Sequence, residues 1–151
     1  MDPDNNTLGF YPPASFYFEV ELGGSKLGFQ EVSGINMEVD IQEVVCGGIN
    51  DFKYRLPGGT KFSNLVLKRG LIPKDSVMAT WVLETLTSGY VKPISPKNLT
   101  VKLLDYKKES LMRWDFVNAY PVKWNVSDFK SMENSYVVES LEFAFHFFKK
   151  K

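Results

Sequence analysis

The sequence predicts a mainly β domain: two packed antiparallel sheets forming a partly open β-barrel or sandwich. One flanking α-helix, over about 75–88, and a long extended loop, over about 46–61, complete it. Three observations carry this. Apolar and polar residues alternate with period two through most of the chain, as half-buried strands require. One stretch, around Met78, has helical spacing instead. The order strands, helix, strands is that of an antiparallel sheet domain with a helix packed on an end or side. At 151 residues, 44% hydrophobic and 15% aromatic, the chain can bury a sizeable core. We divide it into a polar, proline-bearing arm over 1–15 and a single domain over 16–151.

The elements follow in order. In 16–22, Phe16, Phe18, Val20 and Leu22 point one way and Tyr17, Glu19 and Glu21 the other. Gly23-Gly24-Ser25-Lys26 reads as a tight turn into a partner strand near Leu27 to Val32, hence a hairpin. Gly34 breaks that strand. Met37, Val39, Ile41 and Val45 then line one face of the next, with Glu38, Asp40 and Gln42 opposite. The helix has Pro73 and Asp75 at its start and Gly89 where a terminating glycine belongs. Met78, Trp81, Val82 and Leu86 form its apolar stripe.

The last third returns to strands. Leu99, Val101 and Leu103 share a face, with Thr100 and Lys102 outward. Met112, Trp114 and Phe116 line the next strand. Asn118-Ala119-Tyr120-Pro121 interrupts it, and Val122, Trp124 and Val126 resume the alternation. The final strand presents Val137, Leu141, Phe143, Phe145 and Phe147 on one side, with Glu139 the exception. Lys149 to Lys151 read as a solvated tail.

The loop is the least ordinary stretch. Gly47-Gly48 and Gly58-Gly59 bracket Ile49, Asn50, Asp51, Phe52, Lys53, Tyr54, Arg55, Leu56 and Pro57. Loops this long inside a domain are usually functional or disordered. This one is too rich in aromatic and aliphatic residues for disorder. We read it as ordered by packing on another subunit; the plainer reading is a wide hairpin lying on its own domain.

Charge excludes some functions. Eighteen basic residues balance eighteen acidic ones. No electrostatic case exists for nucleic acid or an anionic membrane as main partner. The start lacks the features of a signal peptide, and no apolar run is long enough for a membrane anchor. The lone cysteine, Cys46, cannot form an internal disulfide.

No enzymatic constellation is visible. His146 and Cys46 are single residues with no nucleophile or oxyanion chemistry around them, and His146 reads as structural. Zinc-ligand spacing is absent, the glycine pairs fit no phosphate-binding spacing, and no cofactor is expected. Long strands without internal proline at either end of the domain suggest used sheet edges: copies extending one sheet into the next would close a ring. A monomeric β module binding a ligand or glycan, with Trp124 or Tyr54 as stacking platform, is the alternative from a different class.

The pattern FxFxVEL…GFQEVSGI…GG…LPG…LVLKRG…WDFVNAYPVKW…VVESLEFAF resembles the tail tube proteins of contractile injection systems, both contractile phage tails and extracellular phage-tail-like particles. Its most specific pieces are Gly28 to Gly34, Leu56 to Gly58, Leu67 to Gly70 and Phe116 to Trp124. The type VI secretion tube protein is a more distant relative. The resemblance implies a two-sheet barrel with a flanking helix, and six-subunit rings whose inner sheets fuse into a channel. It implies rings stacked into a rigid hollow tube that carries effectors or DNA. A contractile sheath would surround the tube and drive it through a target envelope. A baseplate with its spike hub and a terminator would bound its ends, and assembly would occur in a bacterial cytoplasm.

The resemblance also suggests residue roles. Gly47 through Gly59 corresponds to the loop that reaches a neighbouring subunit. Leu56-Pro57-Gly58 would set its return angle. Arg69 beside Gly70 would pin a strand end. Asn118 and Ala119, before Pro121, look like a kink at a barrel corner. Glu38, Asp40, Gln42, Thr100 and Lys102 are the candidates for the lumen wall.

Overall fold

In the computed structural model, residues 17–45, 53–69, 75–89, 91–127 and 137–151 are described. The expected arm, Phe16, residues 46–52 (Cys46, Gly47, Gly48, Ile49, Asn50, Asp51 and Phe52), Gly70 and Pro73 lie outside them.

Among the described residues, ten strands and one helix run in the order β1 (Tyr17–Leu22), β2 (Ser25–Phe29), β3 (Glu31–Ser33), β4 (Glu38–Val45), β5 (Lys53–Lys61), β6 (Leu65–Arg69), α1 (Val77–Thr87), β7 (Lys97–Leu104), β8 (Ser110–Val126), β9 (Glu139–Ala144) and β10 (Phe147–Lys150). All pairings are antiparallel. Seven strands follow the path β2-β1-β7-β8-β9-β6-β3, an eighth, β10, pairs with β8 off that path, and β4 and β5 form a separate ribbon. The predicted two-sheet, partly open β architecture with one helix is therefore present.

Two corners make two layers from one path. The first corner lies in β8, whose first half pairs with β7 and β10 and whose second half pairs with β9. The second is Gln30, the single residue between β2 and β3, whose backbone N–H donates to the Lys68 carbonyl at 2.9 Å. The ends of the path thus meet in sequence, without a continuous ladder closing the barrel.

Alternation buries one face. Val20, Leu22, Phe29, Leu65, Leu67, Leu99, Val101, Phe116, Leu141 and Phe143 fill the space between the layers. Each large side chain taken from water contributes about 1.5–3 kcal/mol. Helix α1 covers this core with Met78, Trp81 and Val82. Trp81 stacks on Phe143 with ring centroids 5.7 Å apart, and its Nε1–H donates to the Ser95 carbonyl at 3.1 Å.

Four expectations need correction. The helix begins one residue later than Asp75 suggests. Its cap is Ser76, whose Oγ accepts from the Ala79 N–H at 3.1 Å and satisfies an end donor the helix cannot. Leu86 is exposed, because it stands at the margin of the stripe. The run 118–121 does not interrupt its strand; β8 passes through it with bulges. Finally, the last strand divides at Phe145-His146 and the three lysines are not a free tail. The break reverses the alternation, so Phe148 packs on the core and Phe147 turns outward. Lys149 and Lys150 are paired with Asp115 and Trp114 in β10.

Candidate assembly surfaces

The hairpin of β4 and β5 stands apart from the body. Every residue of both strands is exposed except Gly58, which is half-buried. The expected loop over 46–61 is therefore strand from Lys53 onward, because Tyr54, Leu56 and Thr60 have partners on β4. Leu56-Pro57-Gly58 does not form the return of a loop; it lies inside β5. There the register shifts, so that Gly58 and Gly59 together face Asp40. This is a bulge, which tolerates a residue lacking an N–H, such as Pro57, and sharpens the twist. At Gly58 the backbone of Asp40 comes close: an added Cβ would stand 3.1 Å from the Asp40 carbonyl oxygen.

Ion pairs brace the ribbon along its length. Lys61 Nζ lies 2.6 Å from Asp40 Oδ1 and Lys53 Nζ 3.6 Å from Glu43 Oε2. The hydrogen bond to the Asp40 carboxylate, reinforced by its charge, raises the Lys61 pKa above its ordinary value. The root of the ribbon is fixed by Gly34 at φ 90° and by Ser63 Oγ–H donating to Asn36 Oδ1 at 2.9 Å. Apolar side chains are exposed on both of its faces: Val39, Ile41 and Val45 on one, Val44, Tyr54 and Leu56 on the other, with Met37 at the root. A two-stranded ribbon is marginal in water without a third strand or a helix against its apolar face. Exposed apolar clusters mark interaction surfaces.

The outer face of the first layer is different in kind. Lys102 Nζ lies 3.4 Å from Glu21 Oε2, and Thr100 Oγ1–H donates to Asp115 Oδ1 at 2.9 Å. Arg113 Nε and Lys151 Nζ also reach Asp115, each at 3.1 Å. Burial pushes the Asp115 carboxyl upward. The hydrogen bonds from Lys151, Thr100 and Arg113 outweigh it and hold the pKa below the usual carboxylate range. Three cations, Lys102, Arg113 and Lys151, are thus paired with two carboxylates, Glu21 and Asp115.

The five lumen candidates thus fall into two groups. Thr100 and Lys102 belong to the ionic face of the body, while Glu38, Asp40 and Gln42 belong to the hairpin. At the β8 corner Asn118 has φ 53°, its backbone N–H donates to Asn98 Oδ1 at 3.1 Å, and its Nδ2–H donates to His146 Nδ1 at 3.2 Å. Ala119 and Pro121 are buried beside it. Arg69 ends β6 directly opposite Glu139, with its guanidinium 5.9 Å from the Phe29 ring centre.

A family described as T4-like virus tail tube protein gp19 matches residues 14–149. The chain belongs to this tail tube family. Among solved structures, the chain is similar to a component of an extracellular contractile injection system, the PVC sheath–tube complex in its extended state. TM-score is 0.76 at 23% identity, over 100% of this chain and 99% of that one. A component of the six-fold symmetrised anti-feeding prophage baseplate gives TM-score 0.73 at 20% identity, covering 91% and 92% of the two chains. Hcp1 from Salmonella typhimurium gives 0.59 at 10% identity, covering 90% and 85%. These similarities show a common fold. No curated protein sequence matches the chain significantly.

Sequence reasoning for this tail tube family member missed Asp115, Glu21 and Lys151. Their types were ordinary for outward strand positions, and only the register shows which of them meet. Trp124, set aside as a stacking platform, is half engaged: its Nε1–H donates to the nearly buried Glu139 at 2.6 Å.

Proposed function

We propose that the chain is a structural subunit of the inner tube of a contractile injection system, without catalytic activity. Six copies close a ring, and rings stack into a rigid hollow tube. A contractile sheath surrounds the tube and drives it through a target envelope. The lumen carries effectors or DNA, and baseplate, spike hub and terminator bound the ends. Synthesis and assembly take place in the bacterial cytoplasm.

One observation carries this reading beyond family membership: a hairpin held off its own barrel with its apolar side chains in water. Such a ribbon makes sense when a neighbouring subunit covers it. We assign Gly47 through Gly59 to that arm, together with β4. Glu38, Asp40 and Gln42 go with the arm, leaving Thr100 and Lys102, beside Glu21 and Asp115, as the lumen wall. Among the described strands, β2 and β10 each pair on one side, and their other edges would let that layer continue into the next copy.

The test is assembly. Purified protein is sized in solution and viewed by negative-stain microscopy, beside a variant in which residues 40–59 are replaced by a two-residue turn. The intact chain gives rings or tubes, and the shortened one a folded monomer. A shortened chain that forms normal rings would overturn the assignment of the hairpin.

A further inference from the structure

We propose that β10 is a strap that sets the direction of the β4–β5 hairpin, through the contact of Phe148 with Phe62. The coupling is a property of the folded chain by itself. It goes beyond the tube reading and does not depend on it.

The hairpin leaves the body on two legs, and they are anchored differently. Residues 34–37 form the first leg, where Ile35 packs directly on the core. Residues 62–64 form the second. There the Phe62 ring lies 5.6 Å from that of Phe145 and 5.4 Å from that of Phe148. Those two rings in turn meet Phe116, which is fully buried, at 4.8 and 5.3 Å. The second leg thus reaches the core through Phe145 and Phe148, one on each side of the point where the last strand divides. The close approach of Gly34 to the Asn64 backbone and the bond from Ser63 to Asn36 join the legs to each other and not to the body. Asn64 Nδ2–H donates to Glu142 Oε2 at 3.5 Å, long for such a bond and correspondingly weak.

The strap is built to seat and to lift. β10 is four residues long, and among the described strands its one partner is the first half of β8. Short edge segments open far more readily than central strands. Clips at its two ends oppose this. The His146 backbone N–H donates to the Val117 carbonyl at 3.0 Å, and Lys151 is held by Asp115 and by the Arg113 carbonyl. While β10 is seated, Phe148 stands against Phe62 and fixes the second leg. When β10 lifts, that leg loses one of its two ring contacts, and Ile35 still anchors the other leg. A ribbon gripped by one leg swings about it. An arm already aimed before contact is spared the entropy cost of being ordered on docking.

The test reads the direction of the hairpin in single chains. Spin labels are placed at Val44→Cys, exposed on the hairpin, and at Glu84→Cys, exposed on α1, in the full chain with Cys46→Ser. The labelled chain is diluted into excess unlabelled chain of the same variant, so that distances within one molecule are measured. With Phe62 and Phe148 intact, one narrow distance distribution is expected. Phe148→Ala and Phe62→Ala should each widen it at least about twofold. Phe147→Ala, on the same strand but turned outward, should leave it unchanged. Phe62→Ala removes no strand pairing, so it carries the test if Phe148→Ala fails to fold by circular dichroism. A distribution already broad with both rings in place, or one that stays narrow in either folded alanine variant, would overturn the proposal: the legs, and not β10, would then aim the hairpin.

Discussion

Lys151 Nζ lies 3.1 Å from Asp115 Oδ2, and the backbone N–H of the same residue donates to the Arg113 carbonyl at 2.8 Å. The final residue is thereby fastened by side chain and backbone to β8. This matters because β10 is a short edge strand that a single frayed end could unzip. Asp115 is the hub, since Thr100 and Arg113 reach the same carboxylate.

Asp115→Asn should therefore destabilise the domain by about 1 kcal/mol at neutral pH, as the charge-assisted bonds to Arg113 and Lys151 weaken. The carboxyl's pKa is lowered in the folded state. Its contribution is then present above the unfolded carboxylate range and is lost as pH falls through the folded pKa. Urea midpoints for wild type and variant should differ at about pH 7 and converge near pH 3 or below. A difference that stays constant over this interval would show that Asp115 acts through packing and not through charge.

Gly34→Ala should be among the most damaging single-methyl changes in the chain. Gly34 has φ 90°, and a Cβ there would run into the Asn64 carbonyl. Strain and overlap together cost about 3 kcal/mol or more. Gly24 provides the control: its φ is 87° but nothing lies within 4 Å, so Gly24→Ala costs only the backbone term, about 1–2 kcal/mol. Thermal melts of the two variants separate the clash from the conformation.

How far the fold was legible follows from where its information is local. Strands such as β1 and β7 announce themselves because alternation is a property of neighbouring residues. The helix is equally plain, down to Gly89 with φ 58°. The hairpin was half legible. The glycine pairs pointed to unusual backbone, but a bulge depends on a partner, and Pro57-Gly58 looks the same in a turn as in a bulged strand. The phase reversal between Phe145 and Phe147 could not be read from the run itself. It arises because His146 and Asn118 meet where β8 turns between layers, a tertiary cause. The ionic face was invisible for the same reason: Glu21, Lys102 and Asp115 are far apart in sequence and become neighbours only through register.

The corner itself can be tested at Asn118. A residue at φ 53° is tolerable for asparagine or glycine and strained for a β-branched one. Asn118→Val should cost about 1–3 kcal/mol, with loss of the bond to His146 added. Asn118→Gly loses that bond but relieves the backbone, and should remain within about 1 kcal/mol of wild type. Chemical denaturation of the two variants gives the comparison. Equal losses in both would mean that the His146 contact, and not the backbone, holds the corner.

The two hairpin glycines should behave oppositely, although they are adjacent. A Cβ on Gly58 would stand 3.1 Å from the Asp40 carbonyl oxygen and 3.2 Å from Asp40 Cβ, whereas one on Gly59 meets nothing within 4 Å. Gly58→Ala must push β4 aside by a few tenths of an ångström at the residue that also pairs with Lys61. Since no third strand among the described residues holds the ribbon's register, the displacement should loosen the whole hairpin. The cost, about 1 kcal/mol, falls on the ribbon and not on the core, because no buried residue belongs to β4 or β5. The expected signature is faster hydrogen exchange confined to amides of β4 and β5, with an unchanged melting temperature and weaker assembly. Gly59→Ala should exchange and assemble as wild type does. A Gly58→Ala protein whose hairpin amides remain as protected as before would show that the close approach at Asp40 is slack, and that the bulge does not set the register of the arm.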